Sequence, residues 1–183
     1  MKKYAEQVRG EIHARWVQYA AQHGAVLTGA FPFIGLRGVE NGLPYRFYQT
    51  ETQEETADSE GTHPITVHRA EVSYKDAERL GTLCVFPENF MMKIAKFLGY
   101  TDYVMGDAEF DPLFMVRDRD EAHARRLLTP AVLAAFVQAH RQGLQISIGD
   151  HEILGRAHFP VEDPAQLHPL IHQVTWIASQ LGK

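Results

Sequence analysis

Between Phe110 and Pro130 the chain carries the grammar of a strand, a capped helix and the start of a second helix. Phe114 and Val116 alternate with Met115 and Arg117, as in a half-buried strand. Asp118, with Glu121 three residues on, has the spacing of a capping box. Leu127 and Leu128 supply an apolar stripe. Thr129-Pro130 then opens the next helix, since proline is tolerated at a first helical position. Each residue type here has a structural role, and none is left over for chemistry.

The rest of the chain follows similar rules. Tyr4, Val8, Ile12 and Trp16 recur every four residues and predict an N-terminal amphipathic helix over 1–23, stopped at Gly24. Asn41-Gly42 marks a tight hairpin, because it supplies the two positive φ angles of a type I′ turn. Tyr45–Thr50 and His63–Tyr74 are β-prone. Between them, Glu51, Glu54, Glu55, Asp58 and Glu60 with no base predict a solvated, mobile hairpin tip. Leu83–Phe86 reads as a short strand, and Pro87 as the start of a helix with Phe90, Ile94, Phe97 and Leu98 on its buried face, ended by Gly99. Residues 100–118 predict two more strands. Thr129 is expected to cap a helix carrying Leu133, Phe136, Val137 and His140. A hairpin turning at Gly149-Asp150 follows. The last helix carries Leu167, Leu170, Ile171, Val174, Ile177, Ala178 and Leu181. Hairpins and helices in this order predict an α+β fold, with a mainly antiparallel sheet covered by several helices. The strict βαβ alternation of a doubly wound sheet is missing.

A chain of 183 residues fits a single domain over 1–183. At this size about 70% of the unfolded surface is buried, so neither disulfides nor a structural metal is required. The net charge is −5 and the basic residues are scattered, which argues against a nucleic-acid partner. The single cysteine, Cys84, lies between Leu83 and Val85 and reads as a small buried hydrophobe. Glu6, Arg9 and Glu11 interrupt any apolar signal segment, and no stretch reaches the roughly 20 apolar residues of a membrane span. The expected setting is the cytoplasm.

The search for chemistry finds no phosphate loop, nucleophile elbow, H-E-x-x-H pair or paired C-x-x-C. Ser59, Ser73, Ser147 and Ser179 lie outside nucleophile contexts. Asp118, Asp120, Glu121 and His123 have the composition of an acid–base cluster, and equally that of a helix start favoured by the helix dipole. His168 and His172 are spaced to share a helix face, but Pro169 puts His168 at the entrance and no third ligand is specified. Arg46, Tyr48 and Thr50 alternate on one face of the first long hairpin. Thr66 and His68 join them if the register allows, giving the mixed aromatic and cationic surface common at binding sites.

The pattern F-x3-F-x-V-x3-D-x3-A-x2-L-L-T-P from Phe110 to Pro130 resembles that of a group of bacterial domains of unknown function. In that group a Y-x-F/Y hairpin, matched here by Tyr45-Arg46-Phe47-Tyr48, comes before it, and a short hairpin and C-terminal helix come after. The resemblance spans 36–181 and carries over no catalytic residue. Some members of the group are tethered to membranes, and no such segment is present here. The combined expectation is a binding protein without a cofactor, whose partner is a protein or small ligand. Ligand or partner contact is assigned to Arg46, Tyr48, Thr66 and His68, and self-association is compatible with it. The alternative is a hydrolase or metal-dependent enzyme with a site near Asp118, Asp120 and His123, or near His168 and His172.

Overall fold

Tight hairpins need positive φ angles, and the chain provides them where strands reverse. Asn41 and Gly42 sit at φ 52° and 75°, and Asp150 and His151 at 52° and 63°. The second turn therefore falls one residue later than Gly149-Asp150. The computed structural model describes residues 2–29, 34–58, 61–88, 103–158 and 163–181. The helix expected from Pro87 to Gly99 lies almost wholly outside these, and Pro87 itself ends a strand.

Among the described residues eight strands form one sheet: β1 (Val26–Thr28), β2 (Gly35–Glu40), β3 (Leu43–Asp58), β4 (Gly61–Lys75), β5 (Cys84–Pro87), β6 (Phe114–Arg117), β7 (Gln145–Gly149) and β8 (Glu152–His158). Their spatial order is β1-β2-β3-β4-β8-β7-β5-β6. Every pairing is antiparallel, so the α+β class holds. The described helices are α1 (Lys2–Gln22), α2 (Ala77–Leu80), α3 (Glu121–Leu127), α4 (Pro130–Arg141) and α5 (His168–Gln180), the last led in by a 3-10 turn over Pro164–Leu167. None of them is long and apolar enough to cross a membrane.

One face of the sheet is covered. Leu36, Tyr45, Phe47, Val72, Ile146, Ile148 and Ile153 are all buried on it. Trp16 of α1 stacks flat on Phe47, with ring centroids 5.4 Å apart and planes 7° apart. Helix α5 lies so close to β8 that a Cβ on Gly155 would strike Val174 and come within 2.9 Å of Leu170 Cδ1. Phe136 of α4 meets Phe114 edge-on at 5.4 Å. The expected apolar stripe of α5, from Leu167 to Leu181, is fully buried. On the opposite face Val26, Arg37, Val39, Arg46, Tyr48 and Lys75 are exposed across β1–β4.

Three local expectations change. The acidic run is strand, not a loose tip: β3 and β4 stay in register from Arg46↔Ser73 to Asp58↔Gly61. Pairing with β2 ends at Tyr48 and with β8 begins at Arg69, so the distal hairpin continues as a two-stranded arm. At about 3.3 Å per residue it reaches roughly 30 Å. Within 103–118 only β6 is strand. Asp111 instead accepts from the backbone N–H groups of Met105 and Gly106, and Asp107 from those of Glu109 and Phe110, which ties this segment into turns. Finally, Asp120 rather than Asp118 caps α3, and Thr129 stands at the start of α4 without a side-chain cap bond.

Replacing Gly155 with valine is expected to destabilise the protein by about 1–3 kcal/mol through overpacking under α5. Urea unfolding at neutral pH measures this directly.

Candidate functional site

The Asn41-Gly42 turn fixes the register of β2 against β3, and that register decides what stands together on the open face. Arg37 pairs with Arg46, which pairs with Ser73. In the next row, Thr28, Gly35, Tyr48, Glu71 and Arg156 follow one another across five strands. These rows border an open cleft of about 480 Å³, lined by Thr28, Arg37, Arg46, Tyr48, Ser73 and Glu152 among others. That volume falls in the range of small-molecule sites, about 300–1,000 Å³. Gly35 keeps the floor low: a Cβ there would stand 2.6 Å from Thr28 Oγ1 and 3.2 Å from the Phe47 carbonyl.

Charges on this face are unevenly matched. Arg156 Nε donates to Glu71 Oε1 at 2.9 Å, and Lys75 Nζ lies 3.8 Å from Glu152. Burial, helped by its hydrogen bond to Glu71, pushes the Tyr48 phenol up to about 12, so its hydroxyl stays protonated while the ring remains 41% exposed. Arg37 and Arg46 face each other and make no hydrogen bond or ion pair among the described residues.

Of the residues singled out from sequence, Arg46 and Tyr48 meet in this cleft. Thr66 and His68 do not join them. The register sets Thr66 opposite Gln53 and His68 opposite Glu51, out on the arm. Arg37, Thr28, Ser73 and Glu152 were not expected there. A signal for Arg37 existed: counting outward from Asn41-Gly42 pairs 40 with 43 and therefore 37 with 46.

Asp118 and His123 do come together, in a structural role. Asp118 is 3% exposed and accepts from Thr82 Oγ1, from His123 Nδ1 and from the N–H groups of Arg119 and Asp120. His123 Nε2 lies 3.2 Å from the Arg79 carbonyl oxygen. Both ring nitrogens are therefore engaged. The cluster ties the α2–β5 loop to the start of α3. Asp120 is taken up by capping, accepting from Ala122 N–H at 2.9 Å. Burial pushes the Asp118 carboxyl up, but the hydrogen bonds from Thr82, His123 and the two backbone N–H groups outweigh it and hold the group below its ordinary range.

His168 lies between His23, at 4.7 Å, and His172, at 6.3 Å, and Tyr19 continues the row at 4.3 Å from His23. His172 Nδ1 lies 3.3 Å from Glu40 Oε1. Neighbouring rings in this row are tilted by 34–35° to one another. Among the described residues no group of three or more His, Cys, Asp or Glu is placed to hold a metal ion. Cys84 is half-buried, and burial raises its thiol.

No protein-family model, curated protein or solved structure matches this chain.

Asp118→Ala leaves Thr82, His123 and two N–H groups without their shared acceptor and is expected to cost about 3 kcal/mol at pH 7. Because the folded-state pKa of Asp118 is lowered, its contribution is present above the unfolded value, about 3.9, and disappears as pH falls through the folded value. The stability gap between wild type and variant should therefore narrow below about pH 4, as thermal unfolding across pH would measure.

Proposed function

We propose that this chain acts by binding, and that its site is the open sheet face around Arg46 and Tyr48. One observation carries the reading. The open cleft presents two uncompensated guanidinium groups and an exposed aromatic ring, a composition typical of recognition surfaces. The acid–imidazole cluster at Asp118 has its hydrogen-bonding groups engaged within the protein, with both ring nitrogens of His123 beside protein oxygens, which supports a structural role for it. The partner is a protein or a small ligand and the setting the cytoplasm. The motif from Phe110 to Pro130 places the chain, on this reading, beside the bacterial domains of unknown function that it resembles. Among the described residues no third ligand stands with His168 and His172, which supports binding over the hydrolytic or metal-dependent alternative there.

Two measurements test this. A turnover screen over ester, phosphate, nucleic-acid and glycoside substrates, with and without Zn²⁺ or Mn²⁺, should give no activity above background. Turnover abolished by one change at Asp118, Asp120 or His172 would overturn it. A metabolite screen by thermal shift should yield ligands whose effect disappears in Tyr48→Ala. Ligands that act equally on that variant would remove the site from this face.

A further inference from the structure

We infer that the facing pair Arg37 and Arg46 is an oxyanion-binding site, so that the ligand carries a phosphate or carboxylate group. The inference rests on the binding role proposed for this face. Like charges directly opposite one another on antiparallel strands destabilise the pairing. Here the Asn41-Gly42 turn forces that juxtaposition, with Arg37 directly across from Arg46. Side chains at such positions start with Cβ atoms about 4.5–5.5 Å apart, close enough for both to grip one anion.

Among the described residues the acids beside this pair are shared with other cations. Glu71 and Glu152, in the adjoining rows, are engaged by Arg156 at 2.9 Å and Lys75 at 3.8 Å. Neither arginine has a partner among the described residues. Both are exposed toward the same cleft of about 480 Å³. Small residues clear the space: Gly35 has no side chain, and Ser73 is buried on the floor beside Arg46. Guanidinium groups present planar forks that match carboxylate and phosphate oxygens two at a time.

Tyr48 supplies the second half of the site. It stands two residues from Arg46 on the same face of β3, with its ring 41% exposed. An oxyanion gripped by Arg37 and Arg46 would therefore carry an organic body lying against that ring. Phosphate monoesters and organic acids of modest size share this chemistry.

The test uses pyrophosphate and citrate as probes, in titration calorimetry and thermal shift at constant ionic strength set by chloride. At least one probe should bind and raise the melting temperature. Arg37→Gln and Arg46→Gln should each weaken that binding at least tenfold, yet melt at or above the wild-type temperature in chloride, because each relieves the repulsion. Arg46→Lys keeps the charge, should fold normally, and should bind more weakly than wild type for loss of the fork. Preference for pyrophosphate over citrate indicates a phosphoryl ligand, and the reverse a carboxylate. Equal binding by wild type and both Gln variants, or no binding of either probe, overturns the inference. In that case a neutral ligand whose shift Tyr48→Ala abolishes leaves the binding role standing. Conversely, release of orthophosphate from pyrophosphate, lost in an Asp118 variant, defeats the binding role while the anion site survives.

Discussion

Trp16 lies flat against Phe47, and that stack forms only if Phe47 points toward α1. Side chains alternate along a strand, so a buried Phe47 obliges Arg46 and Tyr48 to face the other way. A one-residue slip would bury Arg46 under a helix and expose Phe47. The Asn41-Gly42 turn prevents the slip from one end, and the close seating of α5 on Gly155 resists it further across the sheet. The open face and its cleft are consequences of the same parity that builds the core.

Polar groups divide along the same line. At the corner held by Asp118 four donors meet one buried carboxylate. Breaking such a cluster leaves several groups unsatisfied at once, which makes it effective at fixing a corner. Those on the open face are matched only in part. Arg156 and Lys75 have acidic partners, whereas Arg37 and Arg46 have each other. Antiparallel sheets commonly keep one face in water, and that face is free to carry residues chosen for something other than packing.

Local pattern carried much of the fold. The stripe from Leu167 to Leu181 and the turn at Asn41-Gly42 both follow directly from spacing and turn chemistry. So did the strand and helices between Phe114 and Arg141. Asp118 was misassigned because its main partner, Thr82, lies far away in sequence, and because Asp120 competes with it for the cap by local spacing alone. In the acidic run from Glu51 charge outweighs alternation as a sequence signal, so the run reads as a loop. Its threonines instead fall across from Val67 and His63, and the register inherited from the sheet carries through it. Arg46 and Tyr48 were legible as one face. Arg37 was reachable by counting from the turn, but Ser73 and Glu152 depend on strand neighbours that only the assembled sheet defines.

Parity along β3 is the physical point on which the site stands, and a soluble paramagnetic agent reads it residue by residue. Side-chain NMR signals of Arg37, Arg46 and Tyr48 should relax strongly in its presence, while those of Trp16, Tyr45 and Phe47 stay protected. Equal relaxation along β3, or protection of Arg46 with relaxation of Phe47, would contradict the arrangement of covered and open faces from which the site is built.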